Sequence, residues 1–270
     1  MRSIRLLGPL TVIVLLLTQL HTAPVSAQDE ATELNKKTQN PVSDLISVPF
    51  QNNFFFGTGP KDATVYVLNV QPVIPFHLTE DWNLIARIIM PIINQPSLAP
   101  GAESAFGLGD INPTLFLSPA KPGALIWGVG PTFTFPTATD NLLGTSKWNM
   151  GPAVVGLMTQ GPWIFGGLVN HQWSFAGSGK KDVSQTTINP FLNYNLGKGL
   201  AVGTSPIITA DWEADSRDRW TVPLGLAVSQ VLKLGPLPVK LGLAGYYNVE
   251  RPRFGSDWQL QFTATFLFPK

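Results

Sequence analysis

The sequence predicts an all-β protein, a closed antiparallel transmembrane β-barrel of about 12 strands, preceded by a cleaved signal peptide. Three observations predict this fold. The 270 residues are 44% hydrophobic and only 13% charged, whereas soluble domains carry about 25% charged residues. Beyond the N-terminal leader, no apolar run reaches the length of a membrane helix, and apolar and polar positions alternate repeatedly. Because only helices and closed barrels can span a bilayer, this alternation indicates barrel strands.

The leader, residues 1–27, has the design of a secretory signal peptide. Arg2 and Arg5 precede an apolar stretch from Leu6 to Leu20, and Val25-Ser26-Ala27 supplies small residues for cleavage before the mature chain. An uncleaved membrane anchor is the alternative. A spanning helix needs about 20 apolar residues, and here the polar flank begins too soon.

Residues 28–46 are expected to form a periplasmic segment with a short plug helix. Asn40 and Pro41 make a suitable helix start, since Asn caps helices and Pro is tolerated in the first turn. The preceding residues 28–37 are expected to be a mobile tail. The plug candidates at the barrel mouth are Pro41, Val42, Leu45 and Ile46.

The barrel itself is expected over residues 47–270. Its clearest alternation is at residues 258–268, where apolar side chains take every second place and Gln or Thr residues lie between them. A period of two places these sets on opposite faces of a strand. The predicted strands are 47–56, 63–76, 82–93, 109–119, 124–135, 147–159, 162–175, 185–196, 199–210, 218–233, 237–249 and 257–268.

Loop lengths and aromatic residues support a location in the bacterial outer membrane. Connections after even-numbered predicted strands are short, and those after odd-numbered strands are generally longer. Outer-membrane barrels have short periplasmic turns and longer extracellular loops. The tryptophans fall mostly near predicted strand ends, as in the aromatic girdles of membrane barrels. A soluble secreted β-protein with core tryptophans is the alternative fold.

Several predicted strands contain proline, which cannot donate a hydrogen bond to a neighbouring strand. Since a closed barrel has no edge strand, the sequence predicts bulges at these positions.

Residues suited to chemistry are sparse. Cysteine is absent, and the three histidines, His21, His77 and His171, are too scattered for a metal site. His171 and Ser174 are close in sequence, but a spacing of three places them on opposite faces of a strand. The net charge of +1 shows no basic stripe of the kind that nucleic-acid binders carry. The sequence therefore predicts no enzyme, no cofactor, no metal and no nucleic-acid partner.

Inward-facing polar residues are the candidates for a functional site. Charge at membrane depth is costly and usually marks a pathway or an ion pair. Inward aromatic side chains at Phe116, Phe191 and Tyr246 would suit small amphipathic or aromatic molecules. Static ion pairs and filler are the alternative. The candidate pathway residues are Arg87, Asp110, Lys240, Asn69, Gln71, Asn189 and Asn193.

Residues 211–219 form the densest cluster of charge. They are read as a solvated extracellular loop, or as an ion-pair patch or divalent-cation site that touches lipopolysaccharide. The expected partners are outer-membrane lipid and lipopolysaccharide, the barrel assembly machinery and a small-molecule solute.

Several segments also resemble a known family. Residues 38–53, TQNPVSDLISVPFQNN, are similar to the opening of a bacterial family of outer-membrane transporters, some members of which are mislabelled after neuromedin U. The chain also resembles the broader phenol-degradation meta-pathway outer-membrane family. The resemblance implies a barrel that takes up aromatic or other hydrophobic compounds, and it supplies no site residues. Further matching segments are 107–113, 127–131, 136–140, 205–212 and 257–260.

The sequence thus favours a channel or transporter for small molecules. The alternative is a structural or adhesive barrel that has a closed lumen and binds partners through its loops.

Overall fold

A computed structural model describes residues 25–234 and 237–269. Residues 1–24 of the signal peptide expected over residues 1–27 lie outside the described residues.

Within these described residues, one helix precedes a single antiparallel sheet. The helix, α1, spans Val25–Thr38. The strands are β1 Ile46–Thr58, β2 Ala63–Val70, β3 Val73–His77, β4 Trp82–Gln95, β5 Ala105–Leu108, β6 Asn112–Pro119, β7 Leu125–Thr134, β8 Lys147–Gln160, β9 Trp163–Gly177, β10 Ser184–Gly197, β11 Leu200–Thr204, β12 Ile208–Asp211, β13 Trp220–Leu234, β14 Leu237–Glu250 and β15 Trp258–Phe268.

The sheet closes into a barrel because β15 pairs with β1 and β9 pairs with β10. Three pairs of strands, β2–β3, β5–β6 and β11–β12, each continue along one line of the wall after a short interruption. The wall therefore contains twelve strands, as predicted. Each predicted strand overlaps an observed one, and the largest displacement is in the fourth, which begins at Ala105 instead of residue 109.

Prolines coincide with several irregularities of the wall. Pro72 and Pro206 lie in the interruptions of β2–β3 and β11–β12. A register shift between β13 and β14 falls at Val222 and Pro223. The expectation of bulges is therefore supported only at Val222 and Pro223, since Pro72 and Pro206 lie in interruptions of the wall. It was wrong for five other prolines, which lie in strands without a register shift: Pro91, Pro113, Pro131, Pro152 and Pro190.

The two faces of the wall separate as the alternation predicts. On β15, the outward positions include Leu260 and Phe262, which are exposed to the membrane, whereas Thr265 is buried inside. Two belts of aromatic side chains encircle the outer surface. Trp82 and Trp127 are in contact near the short turns, with ring centroids 6.0 Å apart. Tyr247 and Trp258 are in contact near the long loops, at 4.7 Å.

A closed barrel with an apolar outer face and aromatic girdles is the architecture of an outer-membrane protein. The predicted fold class and the predicted location in the bacterial outer membrane are both confirmed.

The helix lies earlier in the chain than expected and covers residues 28–37, so the prediction that these residues form a mobile tail was wrong. Its inner side is buried against the barrel, for example at Leu34. The helix ends at Thr38, and the expected start at Asn40 and Pro41 is instead a turn, in which the Asn40 side chain accepts a hydrogen bond from the Val42 N–H at 2.9 Å. The prediction of a helix start here was wrong because the same Asn–Pro pair also favours a turn, and the residue before proline avoids helical geometry. Within the part of the chain that is described, no helix is long and apolar enough to cross a membrane.

Candidate functional site

The lumen of the barrel is the candidate site, and the N-terminal segment occupies part of it. Helix α1 lies against β10, β11 and β13. Its Ala31 and Leu34 are buried in one cluster with Leu45, Val231 and Leu267. The basic residues in the last turn of α1 suit the negative end of the helix dipole.

Buried hydrogen bonds join this segment to the turn between β10 and β11. The Asn35 side chain donates to the Gly199 carbonyl at 2.7 Å, and the Gly199 N–H donates to the Thr32 hydroxyl at 3.1 Å. Gln39 and Asn195 exchange side-chain amide bonds of 3.0 and 3.3 Å. The segment is therefore held by specific polar contacts as well as by apolar burial.

The turn after α1 closes one side of the lumen. Val42 is buried in a cluster with Ile85, Phe116, Ala153 and Val155. Of the plug candidates, Val42 and Leu45 are thus buried between the N-terminal segment and the inner wall, and Pro41 lines the remaining cavity. Ile46 is instead the first residue of β1, opposite Phe268.

The open part of the lumen is a cavity of about 290 Å³. The N-terminal segment forms its floor, from Lys37 to Ser43, and β1, β3, β4, β9, β10 and β13–β15 form its walls. Its lining is mixed. Leu168, Phe191 and Tyr246 provide apolar and aromatic surface, whereas Ser229 and Thr263 provide hydroxyl groups.

Two of the three predicted charged residues face this cavity. The Arg87 guanidinium donates to Gln71 Oε1 at 3.1 Å, and the Gln71 amide in turn donates to Gln51. On β14, four strands away from β4 around the wall, the Lys240 ammonium donates to the Thr38 hydroxyl at 2.9 Å, at the C-terminal end of α1. Both cations therefore hydrogen-bond to neutral oxygen atoms.

The third charged candidate, Asp110, lies elsewhere. Its carboxylate accepts hydrogen bonds from the Ala138 N–H at 3.2 Å and from the Thr145 N–H at 2.7 Å. It therefore joins the β5–β6 connection to the β7–β8 loop at the outer rim, instead of facing Arg87 and Lys240. The alternating pattern assigned Asp110 to the inner face of a continuous strand. Residues 109–111 instead interrupt the strand, and the β7–β8 loop supplies the N–H groups that the Asp110 carboxylate binds.

The polar candidates take different positions. Gln71, Asn189 and Asn193 line the cavity. Asn69 lies in the wall opposite Gln51 on the neighbouring strand, and it is not among the residues that border the cavity.

The connection between β11 and β12 bends into the lumen. Asn189 donates to the Ser205 hydroxyl at 3.0 Å and to the Pro206 carbonyl at 2.8 Å. The Ser205 N–H donates to the Tyr246 hydroxyl at 3.3 Å, and both Ser205 and Ile207 border the cavity. Sequence reasoning did not predict this feature, although the proline at position 206 was a signal for it.

This inward bend leaves a seam in the wall, which is the stretch of β13 from Val222 to Leu226. On this side, β13 pairs with β11 from Ala227 onward and with β12 only at Trp220 and Thr221. Residues 222–226 of β13 therefore pair with β14 but with neither β11 nor β12.

An apolar groove of about 610 Å³ lies outside the wall beside the seam. Leu226, whose side chain is 76% exposed, borders it together with Leu192 and Val202. The groove and the lumen cavity are separated by a thin wall, since the residues that border both are Ala227, Val228, Leu243 and Ala244.

The remaining candidates for chemistry lie near the outer rim. His171 is on the membrane face, where its ring lies 4.1 Å from that of Trp173, and its Nδ1 lies 2.7 Å from the Thr186 hydroxyl. Its Nε2 lies 3.5 Å from the Ser184 hydroxyl. Ser174, on the inner face, donates instead to Asp182 at 3.3 Å. The prediction that His171 and Ser174 face opposite ways is confirmed, and the hydroxyl groups near His171 come from the neighbouring strand.

The charged segment 211–219 is a folded loop. The Asp218 carboxylate accepts the Arg253 N–H at 2.6 Å, and the Arg219 guanidinium lies 5.2 Å from the centre of the Trp212 ring. Among the residues described, no group of three or more His, Cys, Asp and Glu side chains is arranged to hold a metal ion.

Comparison with known proteins places the fold among outer-membrane barrels. No protein-family model matches the sequence, and no curated protein does. The structure is similar to that of an outer membrane channel from Pseudomonas putida F1, with a TM-score of 0.59 and 16% identity over 83% of this chain and 94% of that one. The outer-membrane barrel fold expected from the resemblance is therefore supported, whereas the particular family stays a prediction.

Two further solved barrels correct one expectation. Outer membrane phospholipase A from Escherichia coli matches with a TM-score of 0.42 and 12% identity over 90% of this chain and 98% of that one. The outer membrane phospholipase of Salmonella typhi matches with a TM-score of 0.40 and 13% identity over 84% and 91%. Because enzymes occur among these barrels, the conclusion that the chain is not an enzyme was wrong. An enzymatic role is not established for it either.

Proposed function

We propose that the chain is a channel or transporter that moves small hydrophobic or aromatic molecules across the outer membrane. The observation that carries this proposal is the thin wall next to the seam, where Ala227 and Val228 on β13 and Leu243 and Ala244 on β14 border both the lumen cavity and the outer groove. An apolar solute would have contact surface on both sides of this wall. The mixed lining of the cavity, with Phe191 and Tyr246 among polar groups, suits ligands that are largely apolar.

The N-terminal segment acts as the closure of this route. A twelve-stranded barrel lies between eight-stranded barrels, which side chains fill, and sixteen-stranded porins, which hold an aqueous channel. Here the segment narrows the passage further by burying Val42 against Ile85 and Phe116. Passage toward the periplasm therefore requires the segment to move or the solute to follow the remaining cavity.

The burial of the N-terminal segment in the lumen also supports a second function. A barrel whose lumen is held shut by buried contacts such as Gln39–Asn195 could serve as a structural or adhesive protein, with its loops as the binding surface. The two functions differ in whether the segment ever leaves its place.

A reversible cross-link tests the closure. The chain contains no cysteine, so Gln39→Cys combined with Asn195→Cys introduces one designed pair. We expect the reduced protein in a planar bilayer to show discrete conductance steps that oxidation suppresses, and the single Gln39→Cys variant to be insensitive to oxidation. Folding is checked by heat-modifiable migration on a gel. Folded, reduced protein that passes neither ions nor a small aromatic probe would favour the structural barrel.

A second experiment tests the route through the seam. Leu226→Trp places a larger apolar side chain in the groove, and Leu224→Trp is the matched control. Both leucines are exposed on β13, at 76% and 57%, but only Leu226 borders the groove. We expect Leu226→Trp to slow uptake of a neutral aromatic probe, such as benzyl alcohol, into proteoliposomes, and Leu224→Trp to leave it unchanged. Equal uptake in both variants would exclude the groove as an entry.

A further inference from the structure

The lumen cavity carries positive charge that the protein itself does not neutralise. Arg87, Lys240 and Lys37 border it, and within residues 25–234 and 237–269 no Asp or Glu is among the bordering residues. Arg87 and Lys240 also take part in none of the ion pairs of the described chain. The static ion pairs considered from the sequence are therefore not what holds these two side chains.

Burying these cations without a negative partner costs free energy, and a bound anion would offset that cost. A cation at membrane depth is normally paired, or it faces a water-filled pathway along which charged groups move. Hydrogen bonds to the Gln71 and Thr38 oxygens offset part of the desolvation, but they leave the charges uncompensated. The retention of two such cations beside one cavity indicates a ligand that carries negative charge.

Both cations keep donors free for a ligand. A guanidinium has five N–H donors, and the bond to Gln71 uses one of the Arg87 donors. An ammonium has three, and the bond to Thr38 uses one of those on Lys240. The Gln51–Gln71 pair also fixes the position of the guanidinium, which reduces the entropy lost when a carboxylate binds to it in a bidentate manner.

The other surface of the cavity suits an apolar body. Leu168, Phe191 and Tyr246 border the same space. The volume of about 290 Å³ lies near the lower end of the range for small-molecule sites, about 300–1,000 Å³. A ligand that uses both surfaces has one anionic group and a small apolar or aromatic body.

We infer that the lumen cavity binds small amphipathic carboxylates, with the carboxylate held by Arg87 and Lys240 and the apolar body against Phe191 and Tyr246. This inference rests on the proposed function and names the substrate class of the same site. It also predicts that the lumen prefers anions to cations.

Binding to the folded, full-length mature protein in detergent tests the inference directly. The probe is benzoate, benzyl alcohol is its neutral counterpart of similar size, and inorganic phosphate is an anion without an apolar body. We expect saturable binding of benzoate, and at least about tenfold weaker binding in Arg87→Gln and in Lys240→Gln, because each variant removes a charged hydrogen-bond donor to the carboxylate. Arg87→Lys should keep more of the affinity because it keeps the charge. Lys121→Gln, in an exposed turn, is the control and should bind benzoate as the unmodified protein does.

Flux measurements separate this inference from the proposed function. If benzyl alcohol enters proteoliposomes faster than protein-free liposomes while benzoate neither binds nor crosses, the carboxylate site is wrong and the transport function stands. If benzoate binds in the cavity but neither probe crosses, the site stands and the transport function fails. Equal binding of benzoate and inorganic phosphate would overturn the apolar half of the inference. Benzoate affinity that Arg87→Gln and Lys240→Gln leave unchanged in folded protein would overturn the assignment of the carboxylate to these two cations.

Discussion

Gln39 and Asn195 form a reciprocal pair of amide hydrogen bonds inside the barrel, although 156 positions separate them in the sequence. Both side chains are buried, at 8% and 6% exposure. A buried amide that loses its partner keeps the full cost of its desolvation. This pair therefore makes the docked position of the N-terminal segment specific, since any displaced position must hydrate both amides.

The first prediction follows from this pair. Asn195→Ala should loosen the docked segment by about 1–3 kcal/mol, because the Gln39 amide is left buried with a lost partner. The expected results are faster proteolysis of the segment around residue 39 and longer open times in a planar bilayer. Asn193→Ala is the control, because it removes the amide two residues earlier on the same face of β10. If both variants behave alike, the amide pair does not hold the segment.

A second prediction concerns the glycine against which α1 rests. Gly199 has a φ of +77°, and a Cβ added there would lie 3.0 Å from the Ala31 Cβ and 2.9 Å from the Val231 carbonyl oxygen. Gly197 in the same turn has a φ of +88° but no atom within 4 Å of an added Cβ. Both alanine variants carry the cost of a left-handed backbone, roughly 1–2 kcal/mol.

Only Gly199→Ala should also displace the helix. We expect both variants to lower the thermal unfolding midpoint, with proteolysis of α1 increased in Gly199→Ala alone. Similar proteolysis of both variants would show that the close contact with Ala31 is not needed for docking.

The direction of a side chain, into the lumen or out to the membrane, could be predicted from the sequence, whereas its depth in the barrel could not. The bilayer imposes a period of two on every strand, so the outward positions of Leu260 and Phe262 and the inward positions of Arg87 and Lys240 were predictable from alternation alone. Depth in the barrel is not encoded in that period, and Asp110 was therefore placed on an inward face but at the wrong height.

The helix and the seam were missed for another reason. Leu34 is buried against Val231 and Leu267, contacts made only after the whole barrel has closed. Likewise, the bend at Ser205 depends on Tyr246 and Asn189 from other strands. Local signals at Asn40–Pro41 and Pro206 indicated irregular backbone, but the direction of the chain at each point depends on these distant partners.

A third prediction concerns pH and the outer loops. Hydrogen bonding to Lys147, followed by its positive charge and then by Ser174, lowers the pKa of Asp182, which lies in the loop between β9 and β10. The Lys147 ammonium lies 2.9 Å from the Asp182 carboxylate. Since the folded pKa is below the unfolded value, this pair stabilises the loop above the unfolded pKa, near 3.8. The stabilisation is lost as the pH falls through the lower folded pKa.

The loop should therefore become more sensitive to an acid-active protease as the pH falls below about 4. Asp182→Asn should be cleaved in this loop faster than the unmodified protein already at neutral pH, by a protease that is active there, and acidification should loosen its loop little further. Asp81→Asn, in a turn at the other end of the barrel, is the control. A loop whose sensitivity in the unmodified protein does not change with pH would show that this ion pair does not order it.

The last prediction joins the carboxylate site to the closure. Lys240 donates to the Thr38 hydroxyl at 2.9 Å, and Thr38 in turn donates to the Asn35 carbonyl at 2.7 Å. Two donors of this ammonium are free, but we expect a carboxylate held by Arg87 and Lys240 to draw the ammonium group away from Thr38 and so to weaken this bond. Thr38→Val keeps the shape of the side chain but removes this bond, so it should bind benzoate more tightly and should also open more often. Binding is measured in detergent and open probability in a planar bilayer, with and without benzoate.

The reciprocal effect is required by linkage, because a ligand that binds the undocked state more tightly must favour undocking. Benzoate should therefore raise the open probability of the unmodified protein and have less effect on Thr38→Val, in which the contact is already lost. Lys240→Gln should abolish the response. Tighter binding of benzoate to Thr38→Val without any change in opening would show that ligand binding at Lys240 is not coupled to docking of the N-terminal segment. The segment would then be held by its other contacts, Gln39–Asn195 and Asn35–Gly199.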